Sequence, residues 1–114
     1  IKDNHSDGCG GISEAVKRVR EKWGNKYKIE VETRNLDEVQ EALKLDIDRI
    51  MLDNMDNQTM IEAVKLINKK TEVEASGNMT LERVKILSSS GLDYISVGEL
   101  THTVKIFDFS LIKD

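Results

Sequence analysis

The sequence predicts an α/β fold in which parallel strands build part of a (β/α) barrel, and three observations carry that expectation. Helix-length stretches with apolar residues three and four apart alternate with apolar segments of strand length. The connections are short, which favours right-handed βαβ units and a parallel sheet. Each strand-length segment also carries its unusual polar residues at its carboxyl end.

Taken in chain order, Ile1 reads as the last residue of an earlier strand, and Lys2-Asp3-Asn4-His5 as a polar cluster just past it. Ser6-Asp7-Gly8-Cys9 reads as loop. The first helix presents Ile12, Ala15, Val16 and Val19 on one face, followed by a strand over 27–33. The second presents Leu36, Val39, Ala42 and Leu43; Asn35 stands as its N-cap, with Glu38 three residues on in a capping-box arrangement. After a strand over 47–53, Asp56-Asn57 open a third helix carrying Met60, Ile61, Val64, Leu66 and Ile67. A strand over 71–76 leads to Thr80 and a fourth helix with Leu81, Val84, Ile86 and Leu87, closed by Gly91. The last strand covers 94–97. Trp23, Tyr27 and the methionines are expected to pack, and Lys69-Lys70 to be a solvated helix end.

Composition narrows the class. The chain has 114 residues, enough for one core, with 39% hydrophobic and 33% charged residues and no proline. No apolar run approaches the roughly 20 residues that span a bilayer, and no basic n-region or apolar h-region opens the chain. A single cysteine, Cys9, excludes an internal disulfide framework and fits a reducing cytoplasm. The net charge of −4, without a long basic run, argues against nucleic acid as a partner.

The strand ends choose between a barrel and a doubly wound open sheet. Lys2, Glu32, Asp53, Ser76 with Gly77, and Gly98 each follow or end a strand. In a barrel all these ends meet on one rim, whereas in an open sheet only those flanking the switch point do. The barrel accommodates all five. A whole barrel takes about 250 residues and eight strands, so residues 1–114 are read as its carboxyl-terminal portion, with an amino-terminal domain and the first strands lying before Ile1.

In Lys28-Ile29-Glu30-Val31-Glu32, alternation turns Ile29 and Val31 toward the helices and both glutamates inward. Inward carboxylates need water, a cation or a metal. Glu30 fits either a structural ion pair with a barrel lysine or a ligand site; Glu32, nearer the rim, is the better ligand candidate. Asp53 ends the next strand at the same level, or else caps the following helix; Asn54 reads as a cap. Two adjacent rim carboxylates suit Mg²⁺ shared with a pyrophosphate. Ser76-Gly77-Asn78 and Gly98 place glycine where backbone N–H groups can approach a phosphate at a helix start. Lys2 could meet an acidic substrate and His5 could orient a loop or ligand, while His102 reads as structural and Cys9 as an inert thiol.

Five blocks stand in series: Ile1-Lys2-Asp3-Asn4-His5, Glu30-Val31-Glu32, Met51-Leu52-Asp53-Asn54-Met55, Glu74-Ala75-Ser76-Gly77, and Ile95-Ser96-Val97-Gly98 with Leu100-Thr101-His102. Together they resemble the quinolinate phosphoribosyltransferase family from the first residue to Leu111. The resemblance implies an incomplete TIM-like barrel, of which this is the carboxyl-terminal part, and a homo-oligomer, dimer or hexamer. It implies transfer of phosphoribose from 5-phosphoribosyl 1-pyrophosphate to quinolinate with decarboxylation. Carried over, Glu32 and Asp53 would be the catalytic carboxylates and would meet Mg²⁺–pyrophosphate and ribose; Ser76, Gly77, Asn78 and Gly98 would hold the 5-phosphate. Lys2 would bind a quinolinate carboxylate, supported by His5. Asn78 stands where the family usually has a second glycine, a place where asparagine can adopt left-handed backbone. A basic substrate clamp would lie before Ile1. The alternatives are a paralogous phosphoribosyltransferase with another acceptor, an inactive fragment or assembly module, and a different phosphate-binding barrel.

Overall fold

The structure is a computed structural model that describes residues 1–98. Five helices and four strands follow one another as α1 (Asp3–Cys9), α2 (Ile12–Trp23), β1 (Glu30–Thr33), α3 (Leu36–Ala42), β2 (Arg49–Asp53), α4 (Asn57–Ile67), β3 (Glu72–Ser76), α5 (Leu81–Leu87) and β4 (Tyr94–Ile95). All strand pairs are parallel and the spatial order is the sequence order, β1-β2-β3-β4. A doubly wound sheet reverses order at its switch point. This one does not, and its order is that of a barrel wall.

The strands form because β-branched and aliphatic residues alternate with polar ones. Val31, Ile50, Leu52, Val73 and Ala75 are buried, and with Ile29 they pack beneath Val39, Ala42, Met60, Ala63 and Ile67 of the helices. Neighbouring helices touch in chain order, α1 to α2 and on to α5. Ile1 has strand-like bonds although it starts the chain: its nitrogen donates to Glu30 O at 2.6 Å, and its carbonyl accepts from Glu32 N at 2.9 Å. It lies along β1 as an earlier strand's last residue would.

Helix starts follow the sequence closely. Asn35 Oδ1 accepts from Glu38 N–H at 2.9 Å, Asp56 Oδ1 from Thr59 N–H at 2.8 Å, and Thr80 Oγ1 from Arg83 N–H at 3.3 Å. The box at α3 is not reciprocal, because Glu38 reaches one residue further back and accepts from Arg34 N–H at 2.7 Å. Four expectations need correction. Ser6 to Cys9, expected as loop, belong to a helix that begins at Asp3; it lacks an apolar stripe, and only Ser6 in it is buried. α5 ends at Leu87, so Gly91, with φ +100°, shapes the turn beyond it. Lys69 is not merely solvated, since its Nζ donates to Gly91 O at 2.7 Å and meets Asp93 Oδ1 at 3.2 Å. Trp23 and Tyr27 are exposed and pack edge-on against each other with ring centroids 5.4 Å apart, and Leu66, Leu81 and Ile86 are exposed on their helices.

The inner face of the sheet carries charge. Arg49 on β2 reaches Glu30 on β1 at 3.1 Å and Glu72 and Glu74 on β3 at 3.0 Å each. The Tyr94 ring lies 3.8 Å from the guanidinium carbon. Glu74 is buried and also accepts from the Ser96 hydroxyl. Glu30 is therefore an ion-pair residue, but its cation is an arginine rather than a lysine. Among the described residues no helix is long and apolar enough to cross a membrane.

Arg49→Met would leave three carboxylates facing one another. Equilibrium denaturation at neutral pH should register a loss of about 2–3 kcal/mol, less than for a fully buried pair because Glu30 and Glu72 keep solvent contact. The loss should shrink as pH falls, because burial and the Glu74 charge hold the Glu30 carboxyl above its ordinary value and Arg49, which opposes that rise, is gone from the variant. A variant as stable as the parent would show that the network contributes nothing.

Candidate active site at the carboxyl ends of the strands

Glu32 sits one residue before the end of β1, and Asp53 ends β2. In the ladder Glu32 pairs with Met51, so Asp53 lies two residues further along its strand and on the same face. Burial pushes the Glu32 carboxyl above its ordinary value, and the negative charges of Asp53 and Asp3 push it further. Lys2 and the Asp3 backbone N–H, which donates to the carboxylate, oppose that rise. Lys2 and Asp53 thus both act electrostatically on Glu32. A raised carboxyl means that the native state holds its proton more tightly than the unfolded chain. Ionised Glu32 therefore costs stability, and the cost grows as pH rises from the ordinary value through the raised one.

Asp53 lies opposite Ser76 in the ladder between β2 and β3, and left-handed backbone follows both strands. Asn54 has φ +53° and Asn78 φ +48°, with Gly77 at φ +84° between strand and Asn78. Asn54 N–H donates to Ser76 O at 3.1 Å. Asn54 Nδ2 donates to Asp53 Oδ2 at 2.9 Å, and Asn78 Nδ2 donates to Asn54 Oδ1 at 3.3 Å. A polar relay thereby links Asp53 to the loop after β3. Asn54 is not a helix cap, and neither is Asp53; Asp56 holds that position for α4. Gly77 is required by contact as well as by backbone angle: a Cβ there would lie 2.3 Å from Asn54 Oδ1 and 2.7 Å from Asn54 N.

Two further residues follow the same logic more loosely. His5 is exposed on α1, and its Nδ1 accepts from Lys2 N–H at 3.0 Å, so it helps to fix the backbone of Lys2. Gly98 follows β4, on the same end of the sheet as Asp53 and Ser76. His102, with Leu100 and Thr101, lies outside the described residues. Cys9 is a free thiol at the end of α1, with Arg18 Nη1 3.8 Å from its sulfur.

The carboxylate pair could share a divalent cation with ligand oxygens, because two oxygens from protein are what a loosely held Mg²⁺ commonly takes. Among the described residues no group of three or more His, Cys, Asp or Glu side chains could hold a metal by themselves. Two carboxylates fit a cation shared with ligand oxygens better than a resident metal. A groove of about 460 Å³ lies elsewhere, between the α1–α2 layer and the β1 edge, with Ile1, His5, Cys9, Trp23 and Glu30 among its lining.

Besides Arg49, a second residue escaped the sequence analysis. Arg83, in the first turn of α5, reaches four oxygen acceptors, two on the loop after β3 and two on the loop and helix start after β2. Its signal was faint: a first-turn arginine runs against the helix dipole, which favours acids there.

Gly77→Ala should lower stability by about 2–4 kcal/mol in equilibrium denaturation, since the methyl group meets backbone and the angle is left-handed. Asn78→Gly should stay within about 1 kcal/mol of the parent, relief of left-handed strain offsetting added freedom in the unfolded chain. Equal effects of the two substitutions would contradict this assignment of the turn.

Known proteins resemble this chain in sequence and in fold. The family model described as quinolinate phosphoribosyl transferase, C-terminal domain, matches residues 1–112. A chloroplastic carboxylating nicotinate-nucleotide pyrophosphorylase of Arabidopsis thaliana is 46% identical, covering 97% of this chain and 37% of the relative. A probable carboxylating nicotinate-nucleotide pyrophosphorylase of Bacillus subtilis is 41% identical, over 97% of this chain and 38% of its own. The crystal structure of nicotinate-nucleotide pyrophosphorylase from Ehrlichia chaffeensis superposes with a TM-score of 0.85 at 39% identity, covering 89% of this chain and 36% of that one. The Francisella tularensis structure gives 0.83 at 36% identity, covering 92% and 37%. The chain spans less than two fifths of the length of these curated relatives. Over nearly its whole length, then, this chain belongs to the family of quinolinate phosphoribosyl transferase C-terminal domains.

Proposed function

We propose that the protein carrying this chain transfers phosphoribose from 5-phosphoribosyl 1-pyrophosphate to quinolinate, yielding nicotinate mononucleotide, pyrophosphate and carbon dioxide. The observation that carries the proposal is the rim pair Glu32 and Asp53, set in a chain that matches this family from residue 1 to residue 112. In the reaction the quinolinate ring nitrogen bonds to the anomeric carbon as the bond to pyrophosphate breaks. The 2-carboxylate then leaves as carbon dioxide, and a proton takes the electron pair left on the ring carbon.

Each rim group has a role in this scheme. Glu32 and Asp53 stabilise the positive charge that develops at the anomeric carbon, an electrostatic contribution in a partly desolvated site. They would also hold Mg²⁺ jointly with pyrophosphate oxygens, and the cation would neutralise charge on the leaving group. Ser76, Gly77, Asn78 and Gly98 receive the 5-phosphate. Lys2 binds a quinolinate carboxylate, and His5 fixes the backbone from which Lys2 extends. Both substrates are polyanions and this chain has a net charge of −4, so the cations that complete the site come from outside it. We place the enzyme in the cytoplasm, in keeping with one unpaired thiol, and as a homo-oligomer, dimer or hexamer.

Pyrophosphate release by the full-length polypeptide, followed with Mg²⁺ present and with quinolinate added or withheld, tests the reading. Release should depend on quinolinate and match carbon dioxide one for one. Asp53→Asn should lower kcat/KM by about 10²–10³-fold, and the 114-residue chain alone should show no turnover. Quinolinate-independent release, or parent-like rates from the 114-residue chain, would overturn it.

A further inference from the structure

The loops after β2 and β3 are held from the helix layer by one side chain. Arg83 Nη2 donates to Met55 O at 2.7 Å and Nε to Asn57 Oδ1 at 2.8 Å, both on the loop and helix start after β2. Nη1 donates to Gly77 O at 3.0 Å and Asn78 O at 3.2 Å, on the loop after β3. The Arg83 backbone is itself fixed, since its N–H donates to the Thr80 side chain. A guanidinium suits this task because its fork is planar and its donors are rigidly spaced, which a lysine cannot reproduce.

The carbonyls it takes up determine where the adjoining N–H groups point. Among the described residues no peptide is cis. In a trans peptide the carbonyl and the next residue's N–H point in opposite directions. With the Gly77 and Asn78 carbonyls turned onto Arg83, the N–H groups of Asn78 and Met79 face away from the helix layer. Among the described residues neither N–H has a hydrogen-bond partner. Successive N–H groups left open beside left-handed residues are a common arrangement for meeting an anion.

We infer that Arg83 is a positioning residue for the phosphoribosyl substrate: by holding the Gly77 and Asn78 carbonyls and tying that loop to the one after β2, it presents the Asn78 and Met79 N–H groups to the phosphate. Arg83 touches no reacting atom, and the inference rests on the phosphoribosyl reading proposed above. It adds a residue to that reading that lies behind the site rather than in it.

The test is calorimetric binding of ribose 5-phosphate and, separately, of quinolinate to the full-length protein, its Arg83→Met variant and its Arg83→Lys variant. Circular dichroism and melting identify the folded variants. Arg83→Met should weaken ribose 5-phosphate by about tenfold and leave quinolinate unchanged, with Arg83→Lys intermediate. In turnover the KM for the phosphoribosyl substrate should rise more than kcat falls. Parent-like ribose 5-phosphate affinity in a folded Arg83→Met or Arg83→Lys variant would overturn the inference, as would equal weakening of both ligands. A parent protein that binds no ribose 5-phosphate would sink the phosphoribosyl reading itself, and this inference with it.

Discussion

Constant parallel register is the constraint on which the rest of the molecule depends. Because Asp53 pairs with Ser76 and Glu32 with Met51, side chains of one phase stay on one face across three strands. The other phase, Val31, Ile50, Leu52, Val73 and Ala75, is consumed by the helices. A slip of one residue in β2 would bring Arg49 and Asp53 into the apolar layer and turn Ile50 and Leu52 inward. The hydrophobic phase therefore fixes where the charged phase goes, and the charged phase contains the chemistry.

Within that phase, charge is handled in two ways. Deep in the sheet, Glu30, Glu72 and Glu74 are gathered around Arg49, with Tyr94 covering the guanidinium. At the rim, Glu32 has no such partner among the described residues; Asp53 and Asp3 raise its carboxyl, and Lys2 and one backbone N–H oppose that rise. Carboxylates gathered around a shared cation support the fold, while a rim pair without one suits a site that awaits a cation or a developing positive charge. The difference between Glu30 and Glu32, two residues apart on one strand, separates scaffold from candidate site.

Much of this was legible in the sequence because it depends on spacing. The alternation in 28–32 placed both glutamates inward, and Asn35, Asp56 and Thr80 announced helix starts that the structure contains. α1 was illegible because a short polar helix with one buried residue, Ser6, has no periodic apolar face to detect. Arg49 and Arg83 were missed for a different reason. Their partners are carboxylates and carbonyls on other elements, between 5 and 28 residues away in sequence, and local pattern does not register such contacts. Gly77 was read as a phosphate-loop glycine, and its packing against Asn54, 23 positions earlier, emerged only from the folded backbone.

The central claim, that neighbouring strand ends bring Glu32 and Asp53 together on one rim, is tested most directly by titrating Glu32. Carbon-detected NMR would follow the Glu32 side-chain carboxyl through acid titration in the parent and in Asp53→Asn. The account predicts a midpoint above the ordinary glutamate value of 4.5 in the parent and a lower midpoint in the variant, where one neighbouring negative charge is gone while burial remains. A Glu32 midpoint that is ordinary in the parent, or indifferent to Asp53→Asn, would mean that the two carboxylates do not share a site.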